Sequence, residues 1–542
     1  MTHAATSRRD TSRDTGRARV LVRERIAEAG VELLRRRFDV DVDLEGDLAE
    51  TIGDYDALVV RSATHVTRDV IARADRLRVI GRAGVGVDNV DVEAATERGI
   101  LVANAPESTV VSAAEHTVAL LLALSRNIPQ AHAALKEGRW ERSRFAGLEL
   151  AGKTLGLVGF GRIGQQVARR ATGLEMRVIA HDPFVAPDRF RALGVEWAET
   201  LEDVLRAADF VSLHATLGPD TRNLLDAGAL ARARDGVRVV NVARGELVDE
   251  GALIDALRSG KVAGAAIDVF REEPYSGPLL ELPNAIVTPH LGASTREAQD
   301  RAGVIVAEQV AAALEGGVVT NAVNMPSVGA EELEHLRPFL PLVAGLAALA
   351  VELAGESPSR LDLAYRGALA AHDTRLLTVA ALNGAFRGLV EQPVNYVNAP
   401  LLARERGIEV REESSPVSPD YTSLVGVTAH ARGDAFPVAG TTTGAEGRVR
   451  LVRALDYEIE LERDQLMLFV VNDDTPGIIG RLGTILGEAD VNIANMAVSR
   501  NRHEARALMA LSIDTAPPED VLDRLRSEPG FMDARLIVLP EP

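Results

Sequence analysis

Short apolar runs alternate with helical stretches over residues 19–108. VLV (20–22), ALVVRS (57–62), LRVIGRAG (77–84) and GILVANAP (99–106) read as parallel strands. Between them lie helix-like segments such as DVIARA (69–74) and VEAATERG (92–99). This βαβ alternation predicts an α/β layer fold. A long apolar helix is predicted over 108–127, with Ser108 or Thr109 as its N-cap. A second α/β series follows, with strands at 154–159, 176–181, 208–213, 237–242, 262–268 and 285–288. Six strands make up a full dinucleotide-binding sheet. Near residue 290 the alternation stops, and a helix over 294–315 is predicted to return to the first unit.

The remaining third reads differently. Residues 324–460 are rich in Ala and Leu, with strands expected at VNYVN (394–398) and RVRLVRAL (448–455). We assign them to an independent α+β domain. From Gln465 a compact pattern predicts strand, turn (DDTPG), helix, two strands, helix and strand. That order is the ferredoxin-like βαββαβ unit. The expected organisation is a disordered tail (1–18), a substrate-binding domain in two pieces (19–108 and 290–323), an NAD-binding domain (109–289), the α+β domain (324–460) and the ferredoxin-like domain (465–542).

Composition narrows the chemistry. The 542 residues carry a net charge of −19, which argues against nucleic-acid partners. There is no cysteine, so disulfides, zinc–thiolate sites and cysteine nucleophiles are excluded, and no metal is expected. The polar N-terminus lacks the apolar core of a secretory signal, and no apolar run reads as long enough to span a bilayer. A cytoplasmic protein without a membrane partner is expected.

The run LGLVGFGRIG (155–164) carries the first chemical signal. Gly159 would make the tight turn after a strand, Gly161 would let the backbone approach a pyrophosphate, and Gly164 would let helix and strand pack closely. The helix N-terminus then offers free N–H groups to phosphates. Asp182 closes the next strand, about twenty residues on, where a carboxylate meets the adenosine ribose. No arginine follows it, which favours NAD over NADP. Three polar clusters stand at predicted strand ends, where open α/β sheets bind ligands. They are NVARGELVDE with Arg244, DVFREEP with Asp268 and Glu273, and VTPHLGAS with His290.

With GFGRIG, HDP, NVARGELVD, GAAIDVF and TPHLGAST in this order, residues 19–322 resemble the D-isomer-specific 2-hydroxyacid dehydrogenases. The resemblance implies a Rossmann-type NAD domain, a flavodoxin-like substrate domain and a catalytic triad of Arg244, Glu273 and His290. His290 would take the proton of the C2 hydroxyl, and Glu273 would hold the imidazole in one tautomer. Arg244 would grip the substrate carboxylate through its planar fork. For NAD it implies Arg162 and Ile163 at the pyrophosphate and Asp182 at the ribose. Thr216, Val242, Ala243, Asp268 and Gly292 would line the rest of the pocket.

VVRSATHVT (59–67) and GRAGVGVDNVD (81–91) resemble the substrate loops of the branch that oxidises 3-phosphoglycerate on the way to L-serine. By that resemblance Arg61, Ser62, Asn104 and the backbone of Gly84, Val85 and Gly86 belong to the substrate site. A phosphorylated substrate needs several cations, which brings in Arg82 and Arg142. Arg142 follows the helix that, by resemblance, packs two subunits, so it would reach a neighbouring active site. The C-terminal unit resembles an ACT regulatory domain, with Asp-x-Pro-Gly at Asp474, Pro476 and Gly477. Asn472, Asp474 and Asn492 are the implied effector positions, with L-serine as effector and a homo-oligomer, dimer or tetramer, as the working form. Three alternatives stay open. A hydroxypyruvate or glyoxylate reductase usually lacks an ACT unit, and the formate dehydrogenase branch lacks the glutamate at 273. A non-catalytic NAD-sensing corepressor can retain the triad.

Overall fold

Four sheets follow one another along the chain in the computed structural model. It describes residues 16–317, 319–387, 389–390, 393–418, 420–444, 447–501 and 505–539. The first fifteen residues of the expected tail lie outside them.

The first sheet holds β1 (Arg19–Val22), β2 (Asp39–Val42), β3 (Ala57–Val60), β4 (Val79–Arg82) and β5 (Leu101–Ala103). Its order is β2-β1-β3-β4-β5 and every pairing is parallel, the flavodoxin-like arrangement. β3 and β5 are buried along their whole length, which is why they read as unbroken apolar runs. β2 was not expected. Its DVDV sequence lies half-exposed at the sheet edge, so it lacks the buried-strand pattern. The returning helix Arg296–Leu314 packs on the helix Glu28–Arg35 and on β4. Gly30 faces the backbone of Gly303 so closely that a Cβ there would collide, which lets the two helices cross. Thr295 caps the returning helix by accepting the Ala298 N–H.

The second sheet holds β6 (Thr154–Val158), β7 (Arg177–His181), β8 (Glu196–Trp197), β9 (Phe210–Leu213), β10 (Val237–Asn241), β11 (Val262–Ile267) and β12 (Ala285–Val287). Its order is β12-β11-β10-β9-β6-β7-β8, all parallel. This is the doubly wound dinucleotide-binding order, with its switch point between β6 and β9. It has seven strands and not the expected six, because the exposed two-residue β8 extends one edge. The long helix spans Val110–Arg126, with Thr109 of the two expected residues at its N-cap position. The Ser108 hydroxyl donates to the Ala105 carbonyl, and Thr109 makes no side-chain cap bond.

The third sheet comprises β13 (Arg360–Gly367), β14 (Glu409–Ser415), β15 (Ser423–Ala431), β16 (Asp434–Thr443), β17 (Arg448–Ala454) and β18 (Tyr457–Glu462). β13 and β14 pair in parallel and the other pairings are antiparallel. Helices Leu340–Ala354 and Arg375–Phe386 pack on it as a nearly all-buried pair. The helical run Glu331–Ala354 is long and apolar enough to cross a membrane by length and composition, contrary to the expectation, and its apolar residues fill this core. The expected strand at 394–398 is a turn leading into the helix Ala399–Glu405. Its polar residues work as a clasp. Asn395 Nδ2 donates to the Gly99 carbonyl at 2.7 Å, and Val397 enters the core of the first sheet.

The fourth sheet holds β19 (Leu466–Asp473), β20 (Ile493–Asn501), β21 (Arg506–Ile513) and β22 (Phe531–Val538), in the order β20-β21-β19-β22, all antiparallel. Helices Ile478–Glu488 and Glu519–Ser527 cover one face, completing the ferredoxin-like unit. The other face is not free. Met467, Phe469, Leu508, Ala510 and Ile537 share one apolar core with the third unit.

Candidate active site

The glycine turn lies between β6 and the helix Arg162–Gly173. Gly159 takes φ +97°, and a Cβ on it would strike the backbone of His214 at 2.6 Å, so only glycine serves there. A Cβ on Gly164 would meet the Gly159 carbonyl at 2.5 Å, which gives that glycine its packing role. Gly161 faces open space, and no side chain caps the helix it begins. Its first N–H groups, including those of Ile163 and Gly164, therefore point outward with the positive end of the dipole. Arg162 beside them pairs with Glu107 at 3.0 Å on the surface. Burial pushes the His214 imidazole beneath the turn down to about 4, so it packs there uncharged.

Asp182 does more than wait for a ribose. Its Oδ2 accepts the Phe160 N–H at 2.8 Å and its Oδ1 the Phe184 N–H at 2.9 Å, tying the glycine turn to the end of β7. Each carboxylate oxygen retains a further lone pair. The open Gly161, the uncapped helix and this carboxylate fit a dinucleotide. Farther along the strand ends, a Cβ on Gly292 would meet Val242 Cγ1 at 2.7 Å and Asp268 Oδ2 at 3.2 Å, so these three residues meet at one point. Thr216 stands exposed after β9, and its carbonyl accepts the Thr221 hydroxyl. The buried Asn241 holds the turn after β10, accepting the Ala243 N–H and donating to the Arg244 carbonyl at 2.8 Å. Asn241 was missed, although it opens the NVARG motif.

A cleft of about 820 Å³ lies between the first two sheets. His290 and Glu273 line it together with Arg61, Ser62, Arg82 and Gly84. Glu273 Oε2 lies 2.8 Å from His290 Nδ1, and its Oε1 accepts the Phe270 N–H. His290 sits at φ +53°, and its N–H donates to the carbonyls of Asp268 and Thr288. Asp268 has no exposed surface. Burial pushes its carboxyl up, but bonds from His116, Thr288, Leu291 and Gly292 outweigh that and hold it below the usual value.

Arg61 and Arg82 line the cleft, and Arg244 stands near Arg82, 3.7 Å from Asp88, without lining it. Burial pulls the Arg82 guanidinium down, and the charges of Arg244 and Arg61 act in the same direction against Asp88 and Glu24. Arginine nonetheless stays charged, and Arg82 Nε is buried without a hydrogen-bond partner. Arg244 donates to its neighbour's carbonyl and lies against Gly86, where a Cβ would stand 2.5 Å from Nη2. Asn104 Nδ2 holds the Val85 carbonyl at 2.6 Å. The loop that carries Arg61 and Ser62 is braced from two sides that sequence reading overlooked. Glu24 accepts the N–H groups of Arg61, Ala63 and Thr64. Asn89 Nδ2 donates to the carbonyls of Arg61 and Thr64. Glu24 belongs to no recognisable motif, Asn89 lies within the GRAGVGVDNVD run without being singled out there, and each acts on a loop distant in sequence.

Arg142 is exposed in a 3₁₀ turn and does not line the cleft of its own chain. In the fourth unit, Asn472 is buried with its Oδ1 unpartnered. Asp474 Oδ1 pairs with Arg500 Nε at 3.2 Å. Asn492 Nδ2 donates to Asp514, and among the described residues no hydrogen bond joins it to the Asp474 turn.

The pattern of the D-isomer specific 2-hydroxyacid dehydrogenase NAD binding domain matches residues 118–292. Residues 335–454 match the D-3-phosphoglycerate dehydrogenase intervening domain, and residues 466–530 match the ACT domain. A D-3-phosphoglycerate dehydrogenase of Methanocaldococcus jannaschii is 42% identical over 96% of this chain and 100% of its own length. That of Mycobacterium tuberculosis is 45% identical over 93% of this chain and 96% of its own. Among solved structures, a Thermus thermophilus protein superposes with a TM-score of 0.52 at 39% identity, covering 56% of this chain and 99% of that one. A glyoxylate reductase from Paecilomyes thermophila gives a TM-score of 0.52 at 31% identity, covering 57% and 98%.

Proposed function

The chain belongs to the D-3-phosphoglycerate dehydrogenase family, a branch of the NAD-dependent D-2-hydroxyacid dehydrogenases, and from that membership we infer that its cleft oxidises 3-phosphoglycerate to 3-phosphohydroxypyruvate. The observation that carries the reading is the His290–Glu273 pair facing the same cleft as the buried, unpartnered Nε of Arg82. An acid–base group and a desolvated cation in one cavity suit a hydroxy acid bearing several negative charges. Bound NAD supplies the hydride acceptor.

The residues divide the work as follows. Nε2 of His290 takes the C2 hydroxyl proton. Glu273 accepts from Nδ1 and so keeps Nε2 free for it. Arg244 holds the substrate carboxylate against the Gly84–Gly86 backbone, and Arg61 and Arg82 hold the phosphate. The product enters the route to L-serine.

Regulation and assembly belong to the same reading. L-serine is the proposed effector at the ACT unit. The buried, unpartnered Asn472 Oδ1 offers an acceptor to an ammonium group, and Asp474 offers a charge that Arg500 now shares. The proposed working form is a homotetramer built on a dimer. Val111, Leu122, Ile128 and Leu135 are exposed along the helices Val110–Arg126 and Ile128–Lys136, and Trp140 just after them is 76% exposed. Covering that surface with a second copy buries it and brings Arg142 toward the neighbour's cleft.

The test is NADH formation by the purified protein with 3-phosphoglycerate, D-glycerate and other 2-hydroxy acids, beside reduction of hydroxypyruvate and glyoxylate. Preference for the phosphorylated acid is the expected result. Faster turnover of glyoxylate or hydroxypyruvate would assign the reductase reading, and NAD binding without turnover would assign the sensor reading.

A further inference from the structure

His116 belongs to none of the motifs that mark the site, yet it lies directly behind it. It stands on the helix Val110–Arg126 with Nε2 3.2 Å from Asp268 Oδ1 and 3.3 Å from Thr288 Oγ1. The Thr288 hydroxyl donates to the same Oδ1 at 2.5 Å, so its own oxygen is free to accept. One proton on His116 Nε2 can therefore serve both oxygens.

Asp268 is where the bonds that shape the catalytic turn converge. Its carbonyl accepts the His290 N–H at 2.9 Å. Its Oδ1 accepts the Leu291 N–H and its Oδ2 the Gly292 N–H, each at 2.8 Å. Three consecutive residues thus hang on one fully buried aspartate. His290 adopts a left-handed backbone conformation, which non-glycine residues keep only when their surroundings impose it. A carboxylate free to rotate would release Leu291 and Gly292 and let that turn relax. His116 and Thr288 hold Oδ1 against that rotation.

We propose that His116 is a positioning residue that acts through Asp268 and Thr288 to fix the turn carrying His290. The inference rests on the proposed role of His290 in proton transfer. His116 touches the acceptor atoms of Asp268 and Thr288, while the arginines assigned to the substrate stand on other loops. Its loss should therefore appear in kcat and not in KM for 3-phosphoglycerate.

The experiment compares full-length His116→Leu, His116→Gln and Thr288→Val with the wild type. Steady-state kinetics use NAD and 3-phosphoglycerate, and calorimetry measures NAD binding without substrate. Leucine keeps bulk and removes the donor, whereas glutamine restores an N–H at similar reach. His116→Leu should lower kcat about tenfold or more with KM for 3-phosphoglycerate within about threefold, the scale of one lost hydrogen bond to a buried charge. It should also weaken NAD binding, because Asp268 and Gly292 would no longer be held together. His116→Gln should recover most of both. Thr288→Val should lower kcat in the same way and stands in if His116→Leu does not fold. A kcat within twofold of wild type in the folded Leu or Val variant overturns the proposal. So does a glutamine variant no better than the leucine one, or a loss confined to KM for 3-phosphoglycerate. If the wild type does not turn over 3-phosphoglycerate, the functional reading fails separately. Calorimetry then decides: weaker NAD binding in His116→Leu, restored in His116→Gln, supports the proposal, and unchanged binding overturns it.

Discussion

Glu273 Oε2 and His290 Nδ1 lie 2.8 Å apart, although the two residues come from different strand-end loops, after β11 and at the end of β12. The carboxylate's second oxygen is anchored by the Phe270 N–H, so the pair has a defined orientation. His290→Ala should lower kcat by about two to four orders of magnitude while NAD still binds, since the glycine turn is untouched. Glu273→Gln leaves an amide that can present either a donor or an acceptor to Nδ1. It should give a smaller fall, read from kcat at saturating substrate. A His290→Ala enzyme with near-normal kcat would move the proton to another residue.

The brace on the Arg61 loop makes a distinct prediction. Glu24→Ala removes the acceptor of three backbone N–H groups. KM for 3-phosphoglycerate should rise about tenfold, the scale of one charge-assisted hydrogen bond, with kcat little changed. Initial-rate kinetics separate the two parameters. A Glu24→Ala enzyme with wild-type KM would show that the loop keeps its form unaided.

Asp182 bears on cofactor choice. Asp182→Ala removes the ribose partner and also the acceptor of the Phe160 and Phe184 N–H groups. NAD affinity should fall and discrimination against NADP should narrow. Because the glycine turn is loosened as well, a modest drop in Tm should accompany the change. Calorimetric titration of both cofactors checks it, and a wild type that already uses NADP equally well would contradict the assignment.

Arg142 is exposed and outside its own cleft, so any role in catalysis must be exercised on a neighbouring subunit. Arg142→Ala should raise KM for 3-phosphoglycerate more than for an unphosphorylated hydroxy acid. Mixed oligomers of Arg142→Ala and His290→Ala subunits provide the sharper measurement. Sites that combine an intact cleft with an intact neighbouring arginine should regain normal KM. Equal effects on both substrates would remove the phosphate role.

L-serine should inhibit the wild type, and an Asp474→Ala, Asn492→Ala double variant should lose that inhibition while keeping its unliganded kcat. The shared core of the third and fourth units offers a packed route for the signal, and the Asn395 clasp on Gly99 continues it to the first sheet. Inhibition curves and calorimetry with serine provide the check. A wild type indifferent to millimolar serine would leave the ACT unit with another amino acid or with assembly alone.

The sequence by itself determined what depends on local geometry. Strands buried on both faces read as apolar runs. Gly159 and Gly164 of GFGRIG declare a turn where no side chain fits, and the βαββαβ order follows from periodicity and turn residues. Features without a local signature escaped. The edge strands β2 and β8 are short, exposed and half polar, so no hydrophobic pattern marks them. Residues 394–398 alternate as a strand would, but Asn395 and Asn398 are spent on a turn and a clasp. The apolar helix Leu340–Ala354 could not be placed in a core until helix Arg375–Phe386 and the third sheet surrounded it. Only tertiary structure brought Glu24 and Asn89 to the Arg61 loop, and His116 to Asp268 across 152 residues. The reason is physical. Hydrogen-bond partners brought together by packing separate elements carry no spacing of their own in the chain, and which polar residue stands behind a catalytic turn is decided when the helices and sheets close on one another.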